Sequence, residues 1–125
     1  MGDGLLAVLP QVEDAPVLHA LMRRAQFTVS LRLHGAVLSA AASTPFLALG
    51  YRLKTFDFVD SLQLPSSALR TDALLSSPGL FWDRLVSLRA DQESIRVRLR
   101  AAVANCTAKY DAAVGRLVRA LVLGD

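Results

Sequence analysis

The stretch FTVSLRLHGAVLSAAASTPFLALGYRLKTFDFVDSL, residues 27–62, decides the fold. Phe27 to Leu31 (FTVSL) is rich in β-branched and aromatic residues, the composition of a strand. Residues 33–43 (LHGAVLSAAAS) are small and apolar with few β-branched side chains, which predicts a short helix. Its alanines let the helix backbone lie close to a sheet. Thr44-Pro45 stops it, because proline disfavours helical geometry in the residue before it. Phe46 to Leu49 is a continuous apolar run suited to a strand buried on both faces. Lys54 to Leu62 is amphipathic, with Phe58 and Leu62 four apart on one helical face. Strand, helix, strand, helix at this spacing favours parallel pairing through right-handed crossovers.

The same reasoning extends outward. Gly4 to Leu9 (GLLAVL), closed by Pro10, reads as a further buried strand. Asp14 before Pro16 is a helix start, with the Asp14 side chain as cap and proline's fixed φ in the first turn. Val17, Leu18, Leu21 and Met22 then make one apolar face, and Arg23 and Arg24 suit the negative end of the dipole. Downstream, residues 65–79 carry two prolines and two serine pairs and read as a loop with at most one helical turn. From Leu80 to Leu123 the pattern is helical, and Asp91 could cap the longer of two segments. Ile95, Leu99, Val103, Cys106, Tyr110, Val114, Leu117 and Leu121 recur by threes and fours, the spacing of one helix face. The stripe suits either a coiled coil or a helix lying across a partner. Cys106 falls on it and reads as core, and Phe81 and Trp82 read as packing residues. No internal repeat is apparent. The expected architecture is α/β: a partial Rossmann-like, three-layer parallel sheet domain followed by a long C-terminal helix. Residues 1–64 form its βαβαβα unit, 65–79 a loop and 80–125 the closing helices.

With 53% hydrophobic and 20% charged residues, the chain has enough apolar surface for a folded core. One cysteine excludes an internal disulfide framework and a cysteine-based zinc site. His19 and His34 have no acidic or cysteine cluster between them, so neither a metal nor a bound cofactor is expected. The net charge of +3 comes from arginines scattered between Arg23 and Arg119. A dense basic run with interleaved aromatics is absent, so no nucleic-acid partner is expected. Leu33 to Tyr51 is uncharged and nearly as long as the ~20 residues a membrane helix needs. It holds His34, Ser39, Ser43, Thr44 and a central Pro45, and therefore reads as helix plus strand, with no transmembrane segment. The N-terminus lacks a basic leader, and Leu6 stands where myristoylation wants Ser or Thr. The expected location is cytoplasmic.

Open parallel sheets collect ligands beyond the carboxyl ends of their strands. Arg32 and His34 follow one strand; Tyr51, Arg52 and Lys54 follow the next. A guanidinium at a strand end can grip a carboxylate or phosphate through two parallel hydrogen bonds. A histidine opening a helix sits where free N–H groups favour an anion, and it can deliver a proton near neutral pH. Each residue alone also fits a plain surface or capping role. Together they point to a small, strongly anionic ligand. No glycine-rich phosphate loop and no nucleophile elbow competes with this reading.

Arg32-Leu33-His34 after a strand, a small-residue helix, a strand led by Pro45 and ending at Tyr51, and Lys54 three residues on form a combined pattern. It spans about forty residues and resembles the polysaccharide pyruvyl transferase family. The resemblance implies the second half of a two-domain, GT-B-like enzyme that transfers a pyruvyl group from phosphoenolpyruvate to two sugar hydroxyls as a ketal. It implies that Arg32 holds the donor's carboxylate or phosphate, and that His34 binds the donor and gives it a proton. Leu33, Tyr51 and Lys54 would line the site. The partners implied are phosphoenolpyruvate, a glycan acceptor, and an N-terminal domain or complementary subunit that these 125 residues do not contain. Two alternatives stand beside it: half of a nucleotide-sugar glycosyltransferase, which would need an acid near the strand ends to grip a ribose, and a non-catalytic helical interaction module.

Overall fold

The computed structural model describes residues 6–124. Helix α1 (Ala15–Arg24) leads to β1 (Thr28–Ser30), α2 (Leu33–Ala41), β2 (Phe46–Gly50) and α3 (Leu53–Ser61). A 3-10 turn at Pro65–Ser67 enters β3 (Ala68–Arg70), and α4 (Thr71–Ser76), α5 (Pro78–Ala90) and α6 (Gln92–Leu123) follow. The three strands form one parallel sheet in the order β1-β2-β3. The protein is thus a mixed α/β fold with a small parallel sheet and a long C-terminal helix.

Every residue of β2 is buried, as expected for the central strand of a sheet covered on both faces. Its side chains alternate between two cores. Phe46 and Ala48 join Ala36 and Ala40 of α2, Val59 of α3 and Leu99 of α6. Leu47 and Leu49 join Leu69, Leu88 of α5, and the partly buried Leu74 and Phe81. Ile95 of α6 packs against both clusters. The two alanines of α2 are almost fully buried, so that helix rests directly on the sheet.

Two of the sheet's strands are those the sequence predicts, and the third comes from a different segment. Of the expected first strand, Gly4 and Leu5 lie outside the described residues. Leu6 to Leu9 are not a strand: Leu6 is 93% exposed and Val8 91%. Among the described residues no strand pairs with them, and an apolar run is only a strand when something supplies its ladder. The third strand lies instead inside the expected loop. Ala68, Leu69 and Arg70 pair with Ala48, Leu49 and Gly50. A three-residue strand without β-branched side chains has no local signal; the neighbouring β2 creates it. Residues 71–76 of that loop are helical as well.

Smaller corrections concern caps and packing. Asp14 and Asp91 stand at the N-caps of α1 and α6 but make no side-chain cap bond; their carbonyls accept from Leu18 and Ile95 instead. Cys106 is exposed, because the apolar stripe of α6 meets the body only through Val103. Trp82 is 64% exposed and meets Phe81 edge-on at 5.6 Å, leaving Phe81 alone to pack on the core.

An internal repeat is also present, at an offset of 20 residues. Helices α2 and α3 are each nine residues long, with Arg32 and Arg52 at their N-caps. Gly35 N–H donates to the Arg32 carbonyl and Thr55 N–H to that of Arg52. Both helices end in the paired bonds of a Schellman motif: Ser43 to Ala40 and Thr44 to Ser39, then Gln63 to Asp60 and Leu64 to Val59. Ser43 and Gln63 take the left-handed conformation these ends require, φ 56° and 57°. The two units share Arg-Leu at their starts and little else in sequence, so the recurrence is geometric.

Candidate functional site at the carboxyl edge of the sheet

Two strand exits build the site. β1 ends at Ser30, Leu31 follows, and Arg32 caps α2; β2 ends at Gly50, Tyr51 follows, and Arg52 caps α3. The first exit is held in place by contacts at its base. A Cβ on Gly35 would sit 2.7 Å from the Cβ of Ser30, closer than carbon atoms approach, so only glycine lets α2 start this near β1. Ser30 Oγ donates to the Arg32 carbonyl at 3.0 Å. Beneath, the fully buried Ser39 donates to the Gly35 carbonyl at 2.8 Å and can accept from the Thr28 hydroxyl at 2.6 Å. These bonds link strand and helix directly below the Arg32-Leu33-His34 turn.

All five residues expected at the site, Arg32, Leu33, His34, Tyr51 and Lys54, line one open cavity of about 330 Å³, together with Arg52. Leu31 and Thr55 complete the wall; neither carries a signal in sequence beyond standing next to the others. Arg32, His34, Tyr51, Arg52 and Lys54 are exposed, and Leu33 is half-buried. Arg32 and His34 therefore open to one space rather than to opposite faces or the core. The Arg52 guanidinium lies 5.4 Å from the centre of the Tyr51 ring, a cation–π arrangement that steers its planar group along the rim.

The charge in this cavity is uncompensated. Three permanent cations and an imidazole line it, and no acid does. Asp57 and Asp60 are exposed residues of α3 outside the lining. The cavity thus lacks the carboxylate that a ribose-gripping site would need. The helices α2 and α3 begin here, and the positive ends of their dipoles add to the same field.

The third strand exit differs. Arg70 ends β3 and caps α4, but Asp72 neutralises it by accepting three hydrogen bonds, at 2.9, 3.1 and 3.3 Å. The hydrogen bond from Arg70 holds the Asp72 carboxyl below the usual carboxylate range, and the same bond raises Arg70. Of three arginines placed alike, only Arg32 and Arg52 remain without an acidic partner among the described residues.

At the amino edge of the sheet Arg84, Arg96 and Arg98 are engaged. Arg96 donates to the carbonyls of Ala25 at 2.7 Å and Ser43 at 3.2 Å, ahead of β1 and β2. Arg98 donates to Gln63 and Arg84 to Ser66, each at 2.7 Å, ahead of β3. Two cavities of about 350 and 380 Å³ open there around Arg98, as large as the carboxyl-edge cavity, but their guanidiniums already hold backbone oxygens. Size therefore does not set the carboxyl-edge cavity apart from these two; unspent charge does. Among the described residues, no helix is long and apolar enough to cross a membrane. Comparison with known proteins yields no matching family, no similar curated protein and no similar solved structure.

Proposed function

We propose that this chain is the donor-binding part of a pyruvyl transferase, with phosphoenolpyruvate as donor and a sugar diol as acceptor. The observation that carries the reading is the carboxyl-edge cavity, lined by Arg32, His34, Arg52 and Lys54 without any acid. Its likeness to a Rossmann-type half of a GT-B-like enzyme belongs to the same proposal, supported by the parallel sheet and the motif around Arg32-Leu33-His34.

Phosphoenolpyruvate carries a carboxylate and a phosphate on adjacent carbon and oxygen. Two strand exits bearing one guanidinium each suit two anionic groups a few ångströms apart. Arg32 holds one by paired hydrogen bonds, and Arg52 with Lys54 neutralises the other. The reaction needs a proton at the donor's methylene carbon, which His34 supplies from its imidazolium form. That step leaves cationic character at the central carbon. One sugar hydroxyl adds there and the second displaces phosphate. The methylene becomes the methyl group of the ketal. Of the two hydroxyl protons, one restores the imidazolium and the other leaves on phosphate. The cations favour departure of the phosphate as its charge grows.

The second half of α6 supports a partner domain or subunit in the same proposal. Tyr110, Leu117 and Leu121 are 58–76% exposed on the stripe whose earlier members pack on the sheet. The test is thermal shift with phosphoenolpyruvate, a UDP-sugar and buffer alone. Only the true donor raises the melting temperature, by an amount that grows as RT ln(1 + [L]/Kd), about 2.7 kcal/mol at a hundredfold excess over Kd. Arg32→Ala and His34→Ala each abolish the phosphoenolpyruvate shift while melting unchanged without ligand. A shift retained in both variants refutes the assignment.

A further inference from the structure

A second, separate cluster of cations lies at the opposite end of α2. We propose that the cavity between α1, the end of α2 and α6 is a binding site for a small phosphoryl or diphosphoryl group. Its volume is about 220 Å³. His19 and Arg23 enter from α1, Arg96 and Arg100 from α6, and Ala41, Ala42 and Ser43 close the floor. No acid lines it.

The spacing explains the convergence. His19 and Arg23 are four residues apart, as are Arg96 and Arg100, so α1 presents an imidazole and a guanidinium on one face and α6 two guanidiniums. Like charges at the spacing of Arg96 and Arg100 destabilise a helix, and Arg23 facing them across one small cavity adds to the cost. A multiply charged oxyanion relieves both. Arg96 is the fixed wall of the site. Its side chain is only 16% exposed and is held by the Ala25 and Ser43 carbonyls. The nearest acid, Glu93, is 83% exposed and reaches Arg96 Nε only at 3.9 Å. Arg96 is the side chain that satisfies these two part-buried carbonyls. His19, Arg23 and Arg100 have no hydrogen-bond or ion-pair partner among the described residues, which leaves their N–H groups for a ligand. Three guanidiniums lining one small cavity suit a compact anion. A nucleic-acid strand needs cations spread along a track and aromatic rings for its bases, and no aromatic residue lines this cavity.

Pyrophosphate and orthophosphate, titrated into the chain by calorimetry, test the site. Arg32→Gln/His34→Gln weakens the carboxyl-edge cavity as a competing acceptor, and binding of pyrophosphate persists undiminished in that variant. Arg23→Gln/Arg100→Gln lowers the affinity by about tenfold or more for each guanidinium removed, the worth of a charge-assisted hydrogen bond. Both are exposed residues, and an unchanged denaturation curve shows that the variant is folded. Arg116→Gln/Arg119→Gln makes the same change in net charge on the far half of α6 and leaves the affinity unaltered. The proposal is overturned by an absence of pyrophosphate binding, by equal losses in the two arginine pairs, or by loss in the Arg32→Gln/His34→Gln variant alone. Anionic phospholipid vesicles form the last arm: binding to vesicles without binding to free pyrophosphate overturns a small-ligand site.

Discussion

The two edges of the sheet use the same side chain for opposite purposes. At the amino edge, Arg84, Arg96 and Arg98 donate to carbonyls of the turns that lead into the strands. At the carboxyl edge, Arg32 and Arg52 stand at equivalent helix starts and hold no protein oxygen through their side chains among the described residues. The difference follows from what the tertiary structure sets opposite each guanidinium. Helix C-termini leave carbonyls unsatisfied, and α6 runs where it can reach those of α2 and α3. Helix N-termini leave N–H groups, which repel a cation and welcome an anion. Arg84, Arg96 and Arg98 are therefore structural, whereas Arg32 and Arg52 are available for a ligand.

The largest test of this contrast is Arg96→Ala. Losing the bonds to Ala25 and Ser43 leaves two backbone oxygens in a largely buried corner without their charged donor. We expect about 3 kcal/mol of lost stability in chemical denaturation. A loss below about 0.5 kcal/mol would show that the amino-edge contacts are ordinary surface bonds, and the contrast between the edges would collapse.

Gly35→Ala comes next. The added methyl must push α2 away from Ser30, at a cost of about 1–3 kcal/mol for overpacking. Because Gly35 anchors the turn carrying Arg32 and His34, the substitution also weakens any phosphoenolpyruvate-induced thermal shift. Gly79→Ala, where a Cβ meets nothing, is the control and leaves that shift intact. Equal behaviour of the two variants would detach the site from the packing below it.

Arg32→Gln and Arg52→Gln sharpen the comparison from the other side. Neither guanidinium holds a protein oxygen, so each change alters stability by less than about 0.5 kcal/mol. A loss comparable to that of Arg96→Ala would mean these residues are structural too.

The smallest effect is expected at the third exit, where Arg70 is paired. The Arg70 hydrogen bond depresses the Asp72 carboxyl, so the folded state gains from that pair when the carboxylate is ionised. The gain is present above the usual carboxylate range and fades as pH falls through the depressed folded value. Both groups are solvent-exposed, so the contribution to stability is slight. Following the Asp72 carboxyl carbon by NMR as pH is lowered checks it. Arg70→Gln should move the midpoint upward, and an unmoved midpoint removes the pairing as its cause.

Much of the central unit was legible in residues. β1, α2, β2 and α3 lie within a residue or two of where apolar runs, alanines and Pro45 put them. These elements carry their own local signals, and the sheet reinforces each of them. The grouping of Arg32, His34, Tyr51, Arg52 and Lys54 at one edge follows from parallel topology alone. The misses share one cause. Leu6–Leu9 has the composition of a strand and no partner, while Ala68–Arg70 lacks that composition and has one. The stripe of α6 continues evenly in sequence, yet Leu99 is fully buried and Leu121 is 76% exposed. The 20-residue recurrence escaped because it lives in caps and turns, where many residues satisfy the same backbone geometry.

Sequence alone determined the helix and strand types of residues 27–62, because periodicity, alanine content and proline act over a few neighbouring residues. It also determined that cations would follow two strands. Tertiary structure decided which short segment closes the sheet, how far α6 is covered, and which arginines have protein oxygens to hold. Those outcomes depend on partners far along the chain, and a residue's identity does not record what will face it after folding.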